Sequence, residues 1–238
     1  LGFTARSKSR RMPIPHLRAE KQIQYATLEK DGKILTRFDG GIELLASIRF
    51  GLISLFRGEE RQLVVEQTSN KYWRYWIMRL SPKFEVIYDS GDYDTIYHLR
   101  TVDADNDGNL EIIQNLGTFW YTSYDNLYSP RPEIIFHYDP QKRRFLPANH
   151  KFQSLVLGDI EDRLSTLNKI KADKLDQWQL GAGFFDVMLR YLYAGRKKEG
   201  WEIFERESFP PTNKEELRKE INGHLKKDAI YQAIYKNQ

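Results

Sequence analysis

The apolar pattern of this chain changes period near residue 155, and that change sets what the chain can build. From Gln22 to His150 short apolar runs alternate with polar positions and are cut by turn residues. Runs of this kind are Gln22–Thr36, Gln62–Gln67, Tyr72–Leu80, Phe84–Asp89, Thr95–Val102, Glu111–Asn115, Thr118–Ser123 and Glu133–Tyr138. Asp31-Gly32 is a strong hairpin signal, and Ser81-Pro82 and Asp139-Pro140 are breakers. Strands at this spacing predict an antiparallel β unit over residues 22–150. Beyond it, Leu180, Phe184, Val187, Met188, Tyr191 and Leu192 share one helix face, and Gly195 is placed to end that helix. Trp201 and Phe204 mark a second helix, stopped by Pro210-Pro211. Thr212-x-x-Glu215 reads as a capping box for a third, with Leu217, Ile221 and Leu225 inward. A short last helix holds Ile230, Ile234 and Tyr235. The expected class is α+β, an antiparallel meander followed by a helical region at 151–238.

Charge is unevenly distributed. The chain carries 37 Lys+Arg against 33 Asp+Glu, a net of +4. Residues 1–21 hold Arg6, Lys8, Arg10, Arg11, Arg18 and Lys21 against Glu20, so the body beyond them is close to neutral. That segment reads as a basic extended arm, with Arg6, Lys8, Arg10 and Arg11 as partner-binding candidates. No nucleic-acid motif accompanies it, so a protein partner or simple solvation is expected rather than a nucleic acid; peripheral contact with an anionic membrane is the remaining use. The absence of cysteine excludes disulfides and thiolate metal sites. No apolar run is long enough to span a bilayer, Ile42–Phe56 being cut by Arg49. A chain starting at Leu1 is what a removed export signal, a fragment, or a true start at Met12 would leave.

One stretch carries chemistry: Asp103-Ala104-Asp105-Asn106-Asp107-Gly108-Asn109-Leu110-Glu111. Carboxylates at positions 1, 3, 5 and 9 converge when the backbone curls, Gly108 permits the curl, and the Asn109 carbonyl adds a hard oxygen. Calcium takes six to eight oxygens at about 2.3–2.6 Å, which such a loop supplies. Asp, Asn and Gly also make ordinary solvated turns. Position 12 is Gln114 and the flanks are strand-like, so the loop is not an EF-hand.

With those flanks the stretch resembles the calcium loop of FG-GAP/VCBS repeats, the strand–loop–strand units of integrin-type β-propellers. Phe50–Val65 has the same outline 49 residues upstream without the aspartates, so no metal is expected there. The resemblance implies a partial propeller-like unit. It also implies Asp103, Asp105, Asp107 and Glu111 as side-chain ligands, with Asn109 through its carbonyl, to a structural Ca²⁺. Phe184 to Pro211 resembles a single tetratricopeptide-like hairpin, with Met188 in place of the motif's small residue.

The remaining signals are weaker. Tyr72-Trp73-Arg74-Tyr75-Trp76, with Trp120, Tyr121, Tyr124 and Tyr128, suits either a sugar platform or sheet packing. His137 sits in an apolar strand and reads as a packed histidine. No zinc-hydrolase, nucleophile-elbow or phosphate-loop motif is present. The expected function is a non-catalytic, calcium-stabilised protein-interaction domain, an accessory subunit of a larger periplasmic, extracellular or membrane-associated assembly. The alternative is a glycan-acting hydrolase or carbohydrate-binding protein using surface aromatics and scattered carboxylates.

Overall fold

The computed structural model describes residues 3–13, 20–39, 47–68, 73–119, 129–174, 176–210 and 212–236, the side chains of 7–13, 20–24 and 39 excepted. Within them the α+β class holds: three antiparallel sheets precede the helices, and no sheet closes into a barrel. The chain divides into two compact units, Leu1–Gly91 and Asp92–Gln238, so the boundary falls inside the stretch read as one β domain.

The first unit holds two sheets. Strands β1 (Phe3–Pro13), β2 (Glu20–Lys30) and β3 (Lys33–Asp39) form one of them in that order. Residues 3–13, read above as part of an extended arm, therefore pair with β2 from Phe3↔Lys30 to Pro13↔Glu20. A charged strand at a sheet edge discourages further strand addition. The expected hairpin is present at Asp31-Gly32, both with positive φ (51° and 76°), as a two-residue turn of this type requires. Strands β4 (Ser47–Ile53), β5 (Gln62–Thr68), β6 (Trp73–Arg79) and β7 (Glu85–Asp89) form a four-stranded meander. Ala26, Leu28 and Phe38 pack with Leu63, Val65, Trp76 and Met78, joining the two sheets by an apolar core. Tyr75 and Trp76 are thus buried and serve packing, the Trp76 ring lying 5.0 Å from Phe38. Residues 120–128, which carry the other sugar-platform candidates, lie outside the described residues.

The second unit repeats the meander. Strands β8 (Thr95–Val102), β9 (Glu111–Leu116), β10 (Glu133–Asp139) and β11 (Arg144–Pro147) pair in sequence order. Both meanders join their first two strands by eight-residue loops, 54–61 and 103–110, between Ile53↔Gln62 and Val102↔Glu111. Both also satisfy the third residue of the third strand in the same way. The Tyr75 amide donates to Ser90 Oγ (2.9 Å) and the Ile135 amide to Asn149 Oδ1 (2.6 Å). The 49-residue spacing seen in sequence therefore corresponds to two successive units of one topology. Ile113 and Ile135 share a face of the second sheet and pack on Ala148, Phe152 and Val156, the last lying in the single-turn helix α1 (Gln153–Val156).

Helices α2 (Ile160–Ala172), α3 (Gln177–Tyr193), α4 (Lys197–Arg206), α5 (Lys214–Leu225) and α6 (Ala229–Lys236) follow. The face of α3 read from its period is buried. Its end is a Schellman turn: Gly195 (φ 81°) donates to Leu192 O and Arg196 to Tyr191 O. A Cβ at Gly200 would lie 2.9 Å from Leu192 Cδ2, so glycine lets α4 close on α3. The cap of α5 differs from the expected box by one residue. Asn213 Oδ1 accepts from the Glu215 and Glu216 amides, since an Asx side chain reaches amides two and three positions on.

Two buried carboxylates tie these helices down. Asp228 is 7% exposed; its Oδ2 accepts from Tyr193 Oη (2.6 Å) on α3 and Thr118 Oγ1 (2.8 Å) beyond β9. Its Oδ1 caps α6 at the Tyr231 amide (2.9 Å). Glu207 accepts from Lys171 Nζ (2.7 Å) and Arg206 Nε (2.8 Å). Burial alone raises the Glu207 carboxyl, but the hydrogen bonds and charges of Arg206 and Lys171 outweigh it and hold the group below its ordinary value. The unfolded chain then binds that proton more tightly, so this contribution is full above the ordinary carboxylate pKa of 4.5 and is lost as pH falls through the lowered one. Two outcomes follow. Asp228→Ala, which strands the buried Tyr193 hydroxyl, should cost about 2–4 kcal/mol in urea denaturation. Glu207→Gln should lower the neutral plateau by about 1 kcal/mol and flatten the acid limb, its stability converging on the parent's as pH falls below the ordinary carboxylate range.

Candidate metal centre

The acidic loop lies between β8 and β9, and its conformation follows from its own side chains. Asp103 Oδ2 accepts from the Gly108 amide (3.1 Å), Asp105 Oδ1 from the Asp107 amide (3.3 Å) and Asp107 Oδ1 from the Asn109 amide (2.7 Å). Two residues carry positive φ, Asn106 (60°) and Gly108 (87°), residue types that tolerate it. The backbone thus curls inside its own ring of carboxylates. The Asn109 backbone amide, then its side-chain amide (2.8 Å to Oδ2), holds the Asp107 carboxyl below its ordinary value.

The predicted ligands converge in two overlapping groups. Carboxylate oxygens of Asp103, Asp105 and Asp107 lie within 4.8 Å of one another, and so do donor atoms of Asp105, Glu111 and His137. Asp103 Oδ1 is closed to solvent and has no hydrogen-bond partner among the described residues. A buried carboxylate oxygen left alone is costly, and a hard cation beside it removes that cost. The donors present fit such an ion. Asn109 gives both its backbone and its side-chain amide to Asp107.

Glu111 is the buried member, 2% exposed, and both of its oxygens are engaged. Oε2 accepts from the Ala104 amide (2.8 Å) and Oε1 pairs with His137 Nδ1 (3.0 Å). The upstream loop has the same brace. Gln62, at the position matching Glu111, is 1% exposed and its Oε1 accepts from the Leu55 amide (2.8 Å), which matches Ala104. There the Gln62 side-chain amide turns to the Glu60 carbonyl, a bond that a carboxylate cannot donate. A side chain on the first residue of the second strand therefore closes both loops, and only one of the two is anionic.

His137 is the residue that sequence reading missed as part of this site. Its ring does pack, 5.8 Å from Phe152, as a strand histidine is expected to. Pairing of β10 with β9, set by Phe136↔Ile112, also carries it to the neighbourhood of Glu111. Its sequence offered no signal beyond the strand itself, because register is not written in a single strand.

The other candidates are not gathered here. Arg6 on β1 stands 3.5 Å from Glu29 and is mostly exposed; Lys8, Arg10 and Arg11 face Tyr25, Ile23 and Gln22 in backbone register. A cleft of about 980 Å³ between the Glu133 end of the β8–β11 sheet and helices α2 and α3 holds further carboxylates. Within it Asp159, Arg163, Asp186 and Arg190 form a closed ring of ion pairs at 2.6–3.3 Å. Asp159 and Asp186 are therefore each bridged by two guanidinium groups instead of facing one another as an acid–base pair.

The brace separates two substitutions. Glu111→Gln keeps the Ala104 amide bonded, as Gln62 does upstream, and should cost less than about 1 kcal/mol without added metal. Glu111→Ala removes the acceptor and should cost about 2–3 kcal/mol. Urea titration in chelator checks this, and equal losses for both would remove the brace. Compared with protein-family models, curated proteins and solved structures, the chain has no match.

Proposed function

We propose that this chain is a non-catalytic interaction domain whose Asp103–Glu111 loop is held by a structural Ca²⁺, in the manner of FG-GAP/VCBS-type repeats. The observation that carries the reading is the Asp103 oxygen, closed to solvent and unpartnered, within a cluster of three convergent carboxylates. Asp103, Asp105 and Asp107 supply oxygens, Glu111 adds its remaining lone pairs, and the Asn109 carbonyl completes the set. The ion neutralises charge that the loop concentrates within nine residues and fixes the turn between β8 and β9. Comparable extracellular sites bind at about 10⁻⁴–10⁻³ M. A site of that strength is filled outside the cytosol, so the reading places the chain in a periplasmic or extracellular setting, as an accessory subunit acting through protein contacts.

The experiment is thermal melting of the whole chain in millimolar calcium against chelator. A ligand bound only by the folded state stabilises it by about 1.4 kcal/mol at ten times its dissociation constant. That is a rise of roughly 3–6 °C for a chain of this size. Asp103→Asn should abolish most of the rise, and magnesium should reproduce little of it, because it prefers a tighter, better-hydrated octahedral site. No rise at millimolar calcium would overturn the metal assignment.

A further inference from the structure

The face of α6 that looks away from its buried side is made of small and polar residues. Ala229, Gln232, Ala233 and Lys236 follow i, i+3, i+4 and i+7, while Ile230 and Ile234 are turned into the core. Opposite them stands the β10–β11 hairpin, which contributes Leu146 and Pro147, followed by Ala148 just past its end. With alanine at two of those four positions, the two elements leave a groove of about 940 Å³ between them. That is within the size range of built ligand sites, and its floor is apolar.

The charges around this groove are lopsided. Lys142, Lys151 and Lys236 line it, all exposed, against the single acid Asp139. Asp139 is already committed: its Oδ1 accepts from the Gln141 and Lys142 amides (2.9 and 3.0 Å), and Lys142 Nζ lies 4.0 Å from its other oxygen. Those backbone bonds, Lys142's first, hold its carboxyl below the ordinary range, so it stays charged and tied to the hairpin turn. Neither Lys151 nor Lys236 closes an ion pair with an acid among the described residues, and the Lys151 charge acts on Asp139 from farther away. Two histidines and Tyr138 also line it: His137 is bonded to Glu111, and the His150 pKa is lowered by burial and then by Lys151.

We propose that this groove binds an acidic, amphipathic peptide segment of a protein partner, apolar side chains seated on the Leu146–Ala148 floor and carboxylates meeting Lys151 and Lys236. The charge complementarity selects the occupant. Two ammonium groups outside any close ion pair, on the rim of an apolar trough, match a strand or turn that alternates Asp or Glu with Leu, Ile or Phe. A concave trough suits a protruding segment better than the plane of a bilayer. The inference rests on the interaction-domain part of the reading above and is independent of the ion, although His137 borders both places.

The test is selection of phage-displayed random dodecamers on the whole chain, followed by fluorescence anisotropy with the enriched peptides synthesised and labelled. Acidic peptides with two or more large apolar residues are expected, weakening as salt rises. The double variant Lys151→Glu/Lys236→Glu should weaken them by about tenfold or more. Ala229→Trp, at an exposed position on the same α6 face, should block binding without altering charge. Both variants change exposed residues, and their urea curves should overlay that of the parent chain. Neutral or basic selected peptides, no enriched peptides, or binding indifferent to both variants would each overturn the proposal. So would lysine-dependent binding to phosphatidylserine vesicles in place of peptides, or self-association removed by Ala229→Trp. Peptide binding that survives in Asp103→Asn, together with no calcium-dependent melting shift in the parent, would sink the metal reading alone. Loss of peptide binding in the lysine variant with the calcium shift intact separates the two in the other direction.

Discussion

Taking a carboxylate out of water is tolerable only when both of its oxygens find donors or a cation. Two such groups organise the second unit. Asp228 gathers a hydroxyl from α3, a hydroxyl from the segment after β9 and the first turn of α6. Glu111 gathers a loop amide and an imidazole from the adjacent strand. In each case elements far apart in sequence are held because the alternative is a stranded charge. The groove beside α6 and the acidic loop both inherit their positions from these two side chains.

Comparison of the two meanders shows how one local solution serves two purposes. Gln62 and Glu111 make the same bond to the same loop position, so closing an eight-residue loop does not require charge. Gln62 finishes its remaining valence with a carbonyl two residues back. Glu111 cannot donate, so its second oxygen turns to His137, and the loop beneath it concentrates three further carboxylates. The downstream loop differs from its counterpart by the surplus of acceptors over donors. A buried acceptor left over, Asp103 Oδ1, is the residue of that imbalance.

His137 joins two surfaces that the sequence keeps apart. Its Nδ1 faces the acidic loop, and its ring borders the basic groove against α6. One strand position therefore separates a strongly negative feature from a positive one over the width of an imidazole. Whatever enters the groove adjoins the group that braces the loop, which gives the proposed ion and the proposed peptide a shared neighbour.

The α+β order, most strands, the Asp31-Gly32 hairpin and the helix faces were legible in the sequence because each rests on contacts within a few residues. The same holds for the aspartate loop, whose convergent carboxylates are contained in nine consecutive positions. The α5 cap was legible to within one residue, since Thr212 and Asn213 both cap well and only backbone geometry chooses between them. By itself the sequence determined periodicity, turn chemistry and the density of acid at 103–111. Only the tertiary structure decided that Phe3–Pro13 pairs with β2, that His137 reaches Glu111, and that the Ala229–Lys236 face of α6 stands opposite the β10–β11 hairpin. The physical reason is common to all three. Strand register and helix placement are fixed by burial of apolar faces against partners distant in the chain, and such pairings leave no mark on the order of residues within either partner.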